Sequence, residues 1–72
     1  MLRYRLRSKI VGVHQEDTRQ VAIYIPAGSV VTVHDEVVDV TGFLEVEWNG
    51  ESVQVFAVDL RNRGELTSVR GA

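Results

Sequence analysis

Four basic side chains, Arg3, Arg5, Arg7 and Lys9, recur at every second position near the start of the chain. In an extended strand that spacing puts them on one face about 6.8 Å apart, an arrangement able to track a run of phosphates. Leu2, Tyr4, Leu6, Ser8 and Ile10 fall on the other side, so the basic row is the solvent face of a half-buried strand. The competing use of such a row is ion pairing with carboxylates on a neighbouring strand, and Glu45 and Glu47 have the matching spacing. All eight basic residues lie within 3–19 or 61–70, whereas 20–60 holds Asp35, Glu36, Asp39, Glu45, Glu47, Glu51 and Asp59 and no Lys or Arg. Nucleic-acid modules usually run basic overall, and this chain has a net charge of −2. Pairing, inside the domain or across a subunit contact, is therefore the preferred use of Arg3, Arg5, Arg7 and Lys9, with phosphate binding as the alternative.

The other reactive side chains do not assemble into a motif. His14 and His34 each sit beside acids, in His14-Gln15-Glu16-Asp17 and His34-Asp35-Glu36, but no HxH or HxxxH spacing is present. A metal site needs three or four converging ligands, so these read as solvated turn residues and no metal or cofactor is expected. Ser8, Ser29, Ser52 and Ser68 lack the context that activates a serine nucleophile. Carboxylates on an exposed strand face stay fully solvated and make poor general acids. The expectation is a protein without catalytic residues.

Phe43 and Phe56 are a different kind of feature. They flank the stretch Leu44-Glu45-Val46-Glu47-Trp48-Asn49-Gly50-Glu51-Ser52-Val53-Gln54-Val55. Asn-Gly between two alternating runs signals a two-residue type I′ turn. That turn opposes Trp48 to Glu51, Val46 to Val53 and Leu44 to Val55 on an apolar face, and Glu47 to Ser52, Glu45 to Gln54 and Phe43 to Phe56 on a polar one. Cover from the first strand or from the loop before Phe43 is the simpler fate for the two rings. Uncovered, they form with Val37, Val38 and Val40 an apolar patch for a protein partner or a second copy of the chain.

The elements that must position these residues follow from the alternation of apolar side chains. Leu2 to Val13 predicts one long strand bent near Gly12, and His14 to Gln20, with no apolar residue, predicts a loop. Val21 to Ile25 is a second strand, stopped by Pro26-Ala27-Gly28, where proline removes a ladder donor and glycine supplies a left-handed exit. Val30 to His34 is a third. Asp35 to Gly42 mixes valines with strand breakers and reads as a long hairpin tip. After the Asn-Gly hairpin, Ala57-Val58-Asp59-Leu60 is too short for a stable α-helix and predicts a single helical or 3₁₀ turn, and Glu65 to Val69 a closing strand.

Fourteen valines and three isoleucines against four alanines make an all-β fold the expectation, because β-branched side chains are stiff and suit pleated surfaces. At 72 residues the chain has room for one domain, 1–72, and a small core. Absence of cysteine excludes disulfides and thiolate chemistry and fits a reducing cytoplasm. No apolar run approaches the roughly 20 residues of a membrane helix, and no signal-like segment follows Met1. The expectation is a cytoplasmic protein with no membrane association.

From Pro26 onward the order of features resembles the bacterial Src-homology-3-like small barrel: Ala27-Gly28-Ser29-Val30-Val31-Thr32-Val33, a variable loop, Gly42 to Gly50, then Val53-Gln54-Val55-Phe56-Ala57-Val58-Asp59-Leu60. In that family a small-Gly-x-Val-x-Val strand precedes a distal hairpin, a 3₁₀ turn and a closing strand. The resemblance covers roughly residues 20–69 and implies a barrel of five or six strands. Eukaryotic members bind proline-rich peptides through an aromatic groove, but neither His14 to Gln20 nor Ala57 to Leu60 contains an aromatic residue, so that activity is not implied. The sequence thus predicts a non-catalytic binding or scaffolding module that contacts a protein partner or forms a homo-oligomer; the alternative is a small nucleic-acid-binding barrel.

Overall fold

Among the described residues, apolar alternation becomes seven strands and one short helix. The computed structural model describes residues 2–34 and 42–69. The elements are β1 (Leu2–Leu6), β2 (Ile10–Glu16), β3 (Arg19–Ile25), β4 (Val30–Val33), β5 (Phe43–Trp48), β6 (Glu51–Phe56), α1 (Ala57–Arg63) and β7 (Gly64–Val69). All strands join one antiparallel sheet in the order β3-β2-β6-β5-β4-β1-β7. The fold is therefore all-β. Among the described residues no ladder joins β3 to β7, so the sheet is open and has seven strands, where the sequence implied a closed barrel of five or six.

One core nevertheless serves both ends of the sheet. Leu6 of β1, Ile10 of β2, Ile25 of β3, Val31 and Val33 of β4, Val46 of β5, Val53 and Val55 of β6 and Leu60 of α1 form a single buried cluster. A flat sheet could not bring β3 and β1 to one cluster; the sheet is curled, with alternate residues of each strand turned inward. Leu2, Tyr4, Ile23, Leu44 and Trp48 pack around the rim of this cluster.

The Asn-Gly hairpin has the register read from the sequence: Phe43 opposes Phe56, Leu44 Val55, Glu45 Gln54, Val46 Val53, Glu47 Ser52 and Trp48 Glu51. Both turn residues take positive φ, 52° at Asn49 and 78° at Gly50, as a type I′ turn requires.

Three expectations need correction. The first segment is not one strand: it breaks at Arg7-Ser8-Lys9. Leu6 exchanges backbone hydrogen bonds with the turn after β3, donating to Ser29 and accepting from Gly28, while the Arg7 N–H donates to Arg63 O. The chain must then leave β4 and β7 to pair with β3 and β6, and here it does so through an interruption and not within one bent strand. Gly12 lies where β2 crosses β6, and a Cβ there would stand 2.5 Å from Val53 Cγ1. The bend is thus a corner at 7–9, and Gly12 serves close approach instead.

His14 to Gln20 is not a loop. Pairing runs out to Gln15↔Gln20 and Glu16↔Arg19, leaving Asp17-Thr18 as the turn, with Asp17 at φ 53°. This arm extends past the core, with Gln15, Glu16, Arg19 and Gln20 exposed. Hydropathic alternation reports burial, not pairing, and so is silent here.

The single helical or 3₁₀ turn expected at residues 57–60 is longer than that: it is an α-helix of 7 residues, Ala57–Arg63. Tertiary packing sustains so short a helix: Ala57 and Leu60 are buried, Asp59 lies in the first turn, and Arg61 and Arg63 lie in the last, where they complement the helix dipole. The Gly64 N–H donates to Leu60 O and ends it. At 7 residues α1 is too short to span a bilayer, and no described helix is long and apolar enough to cross a membrane.

Candidate interaction surfaces

Opposition of Phe43 and Phe56 on the outward side of β5 and β6 brings their rings into a stack, with centroids 4.5 Å apart and planes inclined by 26°. Both rings are partly exposed, Phe43 by 56% and Phe56 by 42%. Of the two covers expected from the sequence, the first strand does not supply one, because β1 lies beyond β4 from this hairpin, and residues 35–41 of the preceding loop fall outside the described residues. Val37, Val38 and Val40, the other members of the expected patch, fall outside the described residues.

On the inward side, the neighbours of these two rings contribute to a hollow. Leu44 and Ala57 join Tyr4, Leu60 and Leu66 around a groove of about 410 Å³, with Arg61 and Gly64 also lining it. The Ala57 N–H donates to Gly42 O, fixing the start of the helix against the start of β5. The open end of one hairpin therefore offers an aromatic pair outside and an apolar groove inside. Val58 in the first turn of α1 is exposed as well. Leu66 and Val58 escaped sequence reasoning because each sits within an ordinary pattern; exposure is decided by which elements fail to cover them.

The basic row divides. Arg3 and Arg5 stand on the outer face of β1, opposite Thr32 and Val30 on one side and Ser68 and Glu65 on the other. Arg7 and Lys9 lie past the end of that strand, at the corner. Glu45 and Glu47 are on β5, separated from β1 by β4, so the expected pairing inside the domain is not made. Arg5 opposes Glu65 across β1 and β7 without forming a salt bridge; the one salt bridge among the described residues is His34 Nε2 to Glu47 Oε2 at 3.1 Å. That contact, on an exposed surface, gives His34 a partner where the sequence suggested a solvated turn. His14 lies within β2, and its Nδ1 is 3.1 Å from Ser52 O. Among the described residues no three His, Asp or Glu side chains converge as metal ligands.

Arg7 and Lys9 instead meet basic residues from the far end of the chain. Arg7 donates through Nη2 to Asn62 O at 2.7 Å, and Arg63 Nη1 donates to Lys9 O at 3.5 Å. The Lys9 ammonium stands 5.2 Å from the centre of the Tyr24 ring, which is 68% exposed on β3. Lys9, Ile10, Val11, Tyr24, Asp59 and Arg63 line a shallow, open recess of about 210 Å³. Arg7 and Lys9 from one basic end of the sequence and Arg63 from the other are thus folded into one corner. Sequence reading named Arg7 and Lys9, but Tyr24 and Arg63 were not singled out; the clustering of basic residues at both ends was the available signal.

Comparison of the chain with protein-family models, with curated proteins and with solved structures finds no match in any of the three.

Proposed function

We propose that this chain is a non-catalytic binding module of the Src-homology-3-like small-barrel type, acting through contact with a protein partner, and that a second copy of the chain is one such partner. The observation that carries the reading is the stacked and partly exposed Phe43–Phe56 pair. Aromatic side chains in contact surfaces supply large apolar area at low entropic cost, and two stacked rings on an otherwise polar face have no role in the core. The groove lined by Tyr4, Leu44, Leu60 and Leu66 lies at the same end of the hairpin and adds to the apolar area on offer.

The family reading is supported by the order of β4, the Asn49-Gly50 hairpin, a short helix and a last strand that returns beside the first. Sharing of one core by both ends of the sheet also fits a barrel-like curl. The module is soluble by this reading and resides in the cytoplasm.

Sedimentation of the chain over a wide concentration range tests the proposal. Mass should rise with concentration in the wild type, and Phe43→Ser with Phe56→Ser should return the chain to monomer while it remains folded. A wild type that stays monomeric at the highest concentration removes self-association; a double variant that associates as the wild type does removes the Phe pair as the contact.

A further inference from the structure

We infer that the corner formed by Lys9, Tyr24, Arg63 and Arg7 is a binding site for single-stranded nucleic acid, in which a base stacks on Tyr24 and the flanking phosphates meet the three cations. This goes beyond the protein-partner reading and does not depend on it, since the Phe pair lies on other strands.

Three observations converge on the site. The first is an aromatic ring left in solvent: Tyr24 is 68% exposed and stands across from Val11 on the neighbouring strand. Its ring already attracts a cation, the Lys9 ammonium at 5.2 Å. Base stacking on an exposed aromatic side chain beside cations is how single strands are held without reading their sequence.

The second is convergence of charge from distant parts of the chain. Arg7 donates to Asn62 O at 2.7 Å and the Arg63 guanidinium lies 3.5 Å from Lys9 O, so basic side chains from residues 7–9 and from the end of α1 meet at this corner. Acids that give the chain its net charge of −2 include Glu45, Glu47 and Glu51, which lie on β5 and β6. Of the residues that line the recess, Lys9 and Arg63 are basic and Asp59 is acidic, so the local balance is positive although that of the chain is not.

The third is the recess itself. At about 210 Å³, lined by Ile10, Val11 and Tyr24 with Lys9, Arg63 and Asp59, it is smaller than the pockets that enclose drug-sized ligands and suits one flat ring. Asp59 disfavours a wholly anionic ligand such as inorganic phosphate on that surface and offers an acceptor to the edge of a base. Arg3 and Arg5, on the outer face of β1, can guide the backbone without forming the site.

Fluorescence anisotropy of labelled single-stranded RNA and DNA oligonucleotides, titrated with the full chain at about 50 mM and about 200 mM salt, tests this. Binding should be present at the lower salt and fall steeply at the higher. Tyr24→Ala should weaken it about 5- to 100-fold, and Tyr24→Leu by nearly as much, with unchanged melting temperature in both because the side chain is exposed. Lys9→Ala and Arg63→Ala should each weaken binding and lower the salt slope by about 1. RNA and DNA strands should both bind, and duplex DNA and inorganic phosphate should compete poorly. No binding at the lower salt overturns the inference. So does Tyr24→Ala binding as tightly as the wild type, or duplex binding as tightly as the single strand.

Discussion

Gly12 of β2 lies so close to Val53 of β6 that a Cβ on the glycine would stand 2.5 Å from Val53 Cγ1 and 3.3 Å from Gln54 O. The two strands pair there through Gly12↔Val55 and Val13↔Gln54, and the absent side chain is what allows the sheet to curl tightly over its core. Gly12→Ala should destabilise the domain by about 1–3 kcal/mol, the usual cost of overpacking. In urea unfolding, the double variant Gly12→Ala with Val53→Ala should lose less than the sum of the two single changes. Strict additivity would mean that the contact is relieved elsewhere.

Gly50 is required for the opposite reason. Nothing lies within 4 Å of a Cβ built there, but the residue holds φ at 78°. Gly50→Val should cost at least about 1 kcal/mol from backbone conformation alone. Asn49→Ala should cost less. Thermal melts check both, and a Gly50→Val variant that melts with the wild type contradicts the turn.

Leu60 is 2% exposed and joins α1 to the sheet. Leu60→Ala should cost about 2–5 kcal/mol, a large part of the stability available to so small a core. Val58, on the exposed side of the same helix, should tolerate alanine within about 0.5 kcal/mol. Urea midpoints for the pair separate helix docking from helix propensity.

Association through the Phe pair is apolar, so added salt should leave the sedimenting mass nearly unchanged. The melting temperature should rise with protein concentration in the wild type and lose that dependence in the Phe43→Ser, Phe56→Ser variant. A mass that collapses on adding salt would place the contact among charged residues instead.

Much of this fold was legible because alternation, turn chemistry and β-branched composition agree locally: Asn49-Gly50 fixed six cross-strand pairs, and inward positions such as Val31, Val33, Val46, Val53 and Val55 carry the core. What escaped was tertiary in origin. The corner at Arg7-Ser8-Lys9 exists because β2 must reach β6, the outer arm at Gln15 and Gln20 pairs without burying anything, and Ala57–Arg63 is helical because Ala57 and Leu60 find a floor. The same holds for the surfaces. Opposition of Phe43 and Phe56 could be read from a turn, but their exposure could not. Lys9, Tyr24 and Arg63 lie too far apart in the chain for any local pattern to join them.

The strand order has a consequence in time. β1, made first, is held between β4 and β7, with Leu2 opposite Val33 on one side and Val69 on the other. During synthesis at roughly 5–20 residues per second, the hairpins β2–β3 and β5–β6 can close as they emerge. The earliest strand has one flank without a partner until the final strand arrives, so the nascent chain passes through an interval in which Tyr4 and Leu6 lack their last neighbour.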